Sequence, residues 1–296
     1  MIYSSHITKL RRKQRKRKMR KKIISLLLAV SAIVCLVSCG GKEKEANRLE
    51  DIRKRGYIEV CTEPYFAPNE FIDSSKTGQD LFVGYDMDLA KYIADKIGVE
   101  LKIVPLEFSA VLAGIAEGKY DLAISALAYS PARAEAMAMS KGYWFGGEGY
   151  GILIREDDKG KIETLEDLQN SVIVTQSGSV QEAMYGLYVK TSKEFKLVSS
   201  MTDGYLAVAE GKADACICSV GSARLYAESN GGLYIPDFRF DVSDELTGTR
   251  VAAALEGTDE LMELVNQCID EVIASGEMQR WHDEAEAYAR TMGLME

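Results

Sequence analysis

Apolar and polar residues follow two different rhythms along this chain, and the rhythms take turns. Tyr57-Ile58-Glu59-Val60-Cys61 alternates with period two and predicts a strand. Tyr85 to Ile97 spaces its apolar residues for one helix face and runs into Gly98, a helix stop. Leu101 to Pro105 predicts a second strand, Phe108 to Glu117 a helix ending at Gly118, and Asp121 to Ser125 a third strand. A similar series begins after Gly146-Gly147-Glu148-Gly149. It comprises a short helix over Leu165-Glu166-Asp167-Leu168, a strand over Val172-Ile173-Val174-Thr175 and a helix from Val180 to Leu187. A strand from Lys196 to Val198, a helix from Gly204 to Glu210 and a strand from Ala213 to Cys218 follow. The pattern breaks again near Asp241-Val242-Ser243, before a strand from Arg250 to Leu255 and two closing helices split at Ser275-Gly276.

This alternation predicts an α/β architecture with mostly parallel sheets and helices on both faces. The two halves also echo one another. Ala116-Glu117-Gly118-Lys119-Tyr120-Asp121 and Ala209-Glu210-Gly211-Lys212-Ala213-Asp214 each lead into a strand. One echo does not make a repeat array. It does point to two lobes of one architecture, each presenting strand ends to a shared crevice.

The N-terminal segment reads differently. Residues 9–22 hold eleven Lys or Arg in fourteen positions, and an apolar run from Ile23 to Ser38 follows. That run is short for a mature membrane helix and has the order of a secretion signal. It ends in Leu36-Val37-Ser38-Cys39, a small residue directly before a cysteine, the pattern of a bacterial lipobox in which Cys39 is acylated and becomes the new N-terminus. Cys35 fits less well, because β-branched Val34 precedes it. The alternatives are an ordinary signal peptide or a short membrane anchor. Met19 stands as a second candidate start, since Met19-Arg20-Lys21-Lys22 alone makes a normal basic head. Residues 1–39 are therefore expected to be a leader and residues 40–48 a flexible tether. The expected location is the extracytoplasmic face of a bacterial cell membrane, held by lipid.

Loss of the leader changes the electrostatics. Of the 36 basic residues 11 lie in residues 1–39, which leaves 25 against 45 acidic residues and a formal charge of −20 rather than −9. A body this acidic has no electrostatic affinity for nucleic acid or anionic lipid. The lipid itself must hold it at the membrane, and one acyl chain anchors only weakly. Cys61, Cys216, Cys218 and Cys268 remain, without a Cys-x-x-Cys unit, and read as buried free thiols.

Gly84-Tyr85-Asp86-Met87-Asp88-Leu89-Ala90 resembles the G-[FY]-D-x-D-L-A element of the family 3 extracellular solute-binding proteins. The likeness continues in order through Gly118-Lys119-Tyr120-Asp121, Ser130-Pro131-Ala132-Arg133, Ser140-Lys141-Gly142-Tyr143, Gly211-Lys212-Ala213-Asp214-Ala215, Val265-Asn266, Gly276 and Trp281. It spans roughly residues 49–287. No single motif decides it, but the ordered set is specific. The resemblance implies a type II periplasmic-binding-protein-like fold with its ligand in the cleft between the lobes. Lobe one would be residues 49–148 plus 243–296 and lobe two residues 149–242. The lobes would hinge near Glu148-Gly149-Tyr150 and Asp241-Val242-Ser243.

Several residues carry candidate chemistry. Ser130 before Pro131 reads as an N-cap with proline at the first helical position, which sets Arg133 in the first turn. A guanidinium at the end of an open α/β sheet can take a carboxylate bidentately, and the resemblance assigns Arg133 that role for the ligand's α-carboxylate. Ser179-Val180-Gln181-Glu182 reads as a capping box, whose free N–H groups would help hold the same carboxylate. Val180 stands where relatives usually carry threonine. By the same resemblance Glu63, Phe66 and Phe108 line the ligand's side chain, while Ser125, Ala126 and Ala128 offer backbone and one hydroxyl. Ser219 departs from the pattern, because relatives usually place there an aspartate that binds the ligand's ammonium.

The resulting expectation is a monomeric capture protein that binds an amino acid or similar zwitterion and presents it to ABC permease subunits. The rival is an enzyme on the same scaffold, since the fold also resembles the cyclohexadienyl dehydratases, and fold alone does not separate the two. A ligand-sensing module is a third reading. Against catalysis stand a histidine complement of only His6 and His282, and the lack of a Ser/His/Asp set, metal cluster or phosphate loop. No cofactor or metal is expected.

Overall fold

The structure, a computed structural model, describes residues 47–145, 147–242 and 248–293. Cys39, the leader and residues 40–46 of the expected tether lie outside the described residues. Arg48 does not belong to a tether. It opens helix α1 (Arg48–Arg55), because the Asn47 side chain accepts the Glu50 N–H at 3.1 Å and caps the first turn.

Strands β1 (Tyr57–Thr62), β4 (Glu100–Pro105), β5 (Leu122–Ala128), β6 (Ala138–Trp144) and β12 (Thr249–Ala253) form the first sheet in the order β4-β1-β5-β12-β6. β2 (Phe71–Ile72) and β3 (Phe82–Val83) make a small antiparallel pair beside it. The second sheet contains β7 (Tyr150–Arg155), β8 (Val172–Gln176), β9 (Glu194–Val198), β10 (Ala215–Ser219) and β11 (Leu233–Tyr234), in the order β11-β7-β10-β8-β9. Each sheet is parallel but for one strand. β12 runs against both β5 and β6, and β7 runs against both β10 and β11. β7 and β12 are the strands that the chain enters just after crossing between lobes.

Both faces of each sheet are covered, which explains why the central strands are apolar at nearly every position. On one face of the first sheet, Ile58, Val60, Leu122, Ile124 and Val251 pack against α1, α2 (Tyr85–Ile97), α9 (Asp259–Ala274) and α10 (Glu277–Thr291). On the other, Cys61, Ala123, Leu127 and Ala252 meet Phe108, Val111 and Ile115 of α3 (Phe108–Ala116). In the second sheet Ile152, Ile154, Ile173 and Ile217 pack with Leu168 of α5 (Leu165–Leu168) and Met184 of α6 (Val180–Met184). Leu153, Val174, Cys216 and Cys218 face α7 (Met201–Ala209) and α8 (Val220–Asn230) on the opposite side. The four cysteines Cys61, Cys216, Cys218 and Cys268 are buried and unpaired.

The echoed segments do the same job twice. The Asp121 carboxylate accepts the Glu59 N–H of β1 at 2.7 Å, and the Asp214 carboxylate accepts the Val172 N–H of β8 at 2.8 Å. Each aspartate thereby pins the neighbouring parallel strand. Each also meets arginine: Arg48 and Arg55 for Asp121, Arg155 for Asp214.

The chain crosses to the second lobe at residues 145–149 and returns after β11, with residues 243–247 of the return outside the described residues. The two crossings lie side by side, for the Phe240 N–H donates to the Tyr150 carbonyl at 2.9 Å and Arg239 Nε to the Glu148 carbonyl at 3.1 Å. Gly149 turns with φ 78°, a conformation that favours glycine.

Candidate functional site

The carboxyl ends of the parallel strands in both sheets point into one crevice, the place where open α/β sheets collect ligands. Glu63 follows β1, Ser125 to Ala128 close β5, Gln176 ends β8 and Ser219 ends β10. Between them lies a cavity of ≈ 370 Å³. All ten predicted residues, Glu63, Phe66, Phe108, Ser125, Ala126, Ala128, Arg133, Ser179, Val180 and Ser219, lie on its wall.

Arg133 sits in α4 (Pro131–Ala136), whose start is built as the sequence implies: Ser130 Oγ accepts the Arg133 N–H at 3.2 Å and Pro131 takes the first helical position. Its side chain turns inward and is only 8% exposed. Nη1 donates to the Ala128 carbonyl at 2.6 Å and Nη2 to the Gly178 carbonyl at 3.0 Å, the second bond spanning from one lobe to the other. The guanidinium carbon lies 5.5 Å from the Phe108 ring centroid, within cation–π range. Burial pulls its pKa down to about 10, so it remains cationic at neutral pH.

The Ser179 turn is close to the predicted capping box but closes differently. Ser179 Oγ accepts the Glu182 N–H at 3.2 Å, while the Glu182 carboxylate reaches past Ser179 to the Gly178 N–H at 2.6 Å. Gly178 has φ 76°, and a Cβ there would meet Leu112 of the other lobe at 3.2 Å. The glycine lets this loop sit against α3 while offering its carbonyl to Arg133.

Lobe one supplies acid. Glu63 is 3% exposed and Glu70 is 1% exposed, and both line the cavity. Burial pushes the Glu63 carboxyl up to about 8, partly opposed by a hydrogen bond from Gln176 and reinforced by Asp203. Glu70 is driven far above the carboxylate range by burial, with Asp86 beside it and Glu63 nearby adding to the shift. Asp86, from the Gly84-Tyr85-Asp86 element, accepts the Ala126 N–H and the Tyr143 hydroxyl, each at 2.8 Å. It thus holds Ala126 in a left-handed conformation, φ 46°, that alanine seldom adopts. Gly84 permits the approach, since a Cβ there would stand 2.2 Å from the Asn69 carbonyl oxygen.

The sequence profile of the bacterial extracellular solute-binding proteins, family 3, matches residues 58–285. The chain belongs to this family. Among its relatives, a probable histidine-binding protein of Campylobacter jejuni is 25% identical over 260 residues, 86% of this chain and 95% of that protein. An arginine-binding extracellular protein of Bacillus subtilis is 26% identical over 265 residues, covering 88% and 96%. A solved amino acid ABC transporter substrate-binding protein from Streptococcus pneumoniae, bound to L-arginine, superimposes with TM-score 0.74 at 28% identity over 83% of this chain and 99% of that one. The family's two-lobed α/β fold is the fold seen here.

Against that family background, sequence reasoning left out part of the wall. Glu70, Gln176, Tyr150, Trp144, Arg224 and His282 also face the cavity. His282 changes the picture most, because its place in the last helix gave no sign of proximity to the crevice. Its ring stacks on Trp144 at 4.0 Å and 14°, and Tyr85 lies 5.3 Å away. The capping signal that found Arg133 had no counterpart for these residues, which reach the site only through folding.

Proposed function

We propose that this chain captures an amino acid or similarly small zwitterion between its lobes and presents it to an ABC permease. One observation carries the reading: ten residues scattered from Glu63 to Ser219 line a single interlobe cavity around a buried arginine. A carboxylate can replace the Gly178 carbonyl on Arg133, accepting the planar fork bidentately. The named relatives, with histidine and arginine as ligands, support an amino acid as the cargo. Lobe one comprises residues 49–148 plus 243–296 and lobe two residues 149–242, with closure about the paired crossings.

The protein works outside the cytoplasm as a monomer, anchored by lipid on Cys39, and it binds without turnover. Mass spectrometry of the mature N-terminus tests the anchor; diacylglycerol on Cys35 would refute the assignment. A thermal-shift screen of amino acids and related zwitterions tests the cargo. A true ligand at 100 times its dissociation constant adds about 2.7 kcal/mol of stability. The absence of any stabiliser overturns the binding reading, and turnover of prephenate or arogenate would favour the enzyme instead.

A further inference from the structure

One oxygen of each of two carboxyls in the cavity wall is left without a hydrogen-bond partner, although Gln176 bonds the Glu63 carboxyl and Asp86 the Glu70 carboxyl. Glu63 Oε1 and Glu70 Oε2 are buried and accept no hydrogen bond, although both side chains line the cavity. Ser125 stands between them: its hydroxyl accepts the Glu63 N–H at 2.9 Å and donates to Glu70 Oε1 at 3.1 Å. Buried acceptors facing a cavity are costly unless something in the cavity donates to them. The cavity's cations are engaged elsewhere. Arg133 donates to carbonyls, Arg224 pairs with Glu148, and Arg290 pairs with Glu286 and Glu228. Among the described residues no ion pair reaches Glu63 or Glu70.

We infer that Glu63 and Glu70 form a joint acceptor for a cationic group of the ligand, and that this cation enters in exchange for a proton held on the carboxyls. The inference rests on the binding reading above and adds to it a second acid, Glu70, and a proton stoichiometry.

The physical reason is like-charge repulsion among buried carboxyls. Glu63 faces Asp203 from α7 and the Gln176 amide from β8, while Glu70 faces Asp86 from α2, the Ser125 hydroxyl, and the phenols of Tyr85 and Tyr143. Among the described residues no cation pairs with the three buried carboxyls of Glu63, Glu70 and Asp86, so protons are retained on them at neutral pH. The upward shift of Glu63 to about 8 agrees. An arriving ammonium or guanidinium supplies the missing positive charge, the carboxyl ionises and its proton leaves to solvent. Charge balances, because one cation is gained and one proton is lost.

Calorimetric titration of the purified protein in two buffers of different ionisation enthalpy counts the protons released. L-Arginine, Nα-acetyl-L-arginine and L-glutamine serve as probes, and they separate a side-chain cation from an α-ammonium. Release of about one proton should accompany each probe whose cation reaches the acids, and its affinity should rise about tenfold per pH unit from pH 5 to 7. This dependence should survive in His282→Gln, which removes the cavity's imidazole, and should weaken or vanish in Glu63→Gln and Glu70→Gln. Buffer-independent heats with every probe that binds would overturn the inference and leave the binding reading intact, as would a pH dependence lost only in His282→Gln. If no probe or other zwitterion binds, the binding reading itself has failed.

Discussion

Replacing Arg133 with alanine should abolish most ligand affinity while changing fold stability little. In the folded protein the guanidinium makes two carbonyl hydrogen bonds, at 2.6 Å to Ala128 and 3.0 Å to Gly178. Hydrogen bonds to a charged group contribute about 1.5–3 kcal/mol each. Burying that charge costs several kcal/mol, which offsets much of the gain. Arg133→Ala should therefore shift unfolding free energy by no more than about 2 kcal/mol in either direction. Binding has no such offset. The ligand's carboxylate would be buried without its cation, at a cost of about 3–5 kcal/mol. Ligand-free Arg133 must release the Gly178 carbonyl to bind, which places the expected loss near the lower end, about 3 kcal/mol or a hundredfold. Arg133→Lys keeps the charge but loses the fork and should lie between, at about tenfold. Titration calorimetry with the strongest thermal-shift ligand, paired with denaturant unfolding of each variant, separates the two effects. Binding of Arg133→Ala within twofold of the parent would refute the anchor and the site built around it.

Three further outcomes follow from the same geometry. Glu63 keeps its proton in the folded state up to about 8 while the unfolded chain has lost it, so the ligand-free protein should lose stability as pH rises from 5 to 8; melting curves should flatten for Glu63→Gln, and an unchanged slope would show that Glu63 is not the titrating group. Gly84→Ala puts a Cβ 2.2 Å from the Asn69 carbonyl oxygen at a φ of +117° and should cost about 3 kcal/mol or more in chemical unfolding, whereas a loss below about 1 kcal/mol would contradict the close approach. Ser219→Asp places a carboxylate on the cavity wall and should improve affinity for ligands with a free α-ammonium by about 1–3 kcal/mol. If Glu63 already neutralises that ammonium, the gain should vanish and pH dependence should grow; no change in either would place Ser219 away from the ligand.

Local chemistry was legible in the sequence wherever a signal stays within a few residues. Gly98 after an amphipathic run marked the end of α2, Ser130-Pro131 marked the start of α4, and Asp121 and Asp214 revealed the two-fold echo. Helix α8 gave little warning, because only Val220 and Ala223 of its eleven residues are buried. Tyr150–Arg155 is an apolar run without alternation, since both its faces are covered, and a glycine cluster beside it obscured it. Strand direction was not legible either: period-two alternation is the same whichever way a strand runs, so the reversal of β7 and β12 followed only from where the chain crosses between sheets. The sequence by itself thus determined most of the elements, the leader pattern, the family and the ten candidate wall residues. Only the tertiary structure decided that Glu70 and His282 join them, and that the buried carboxyls of Glu63 and Asp86 lie close to that of Glu70 with no ion pair among the described residues. Their charges interact across distances that no spacing along the chain records.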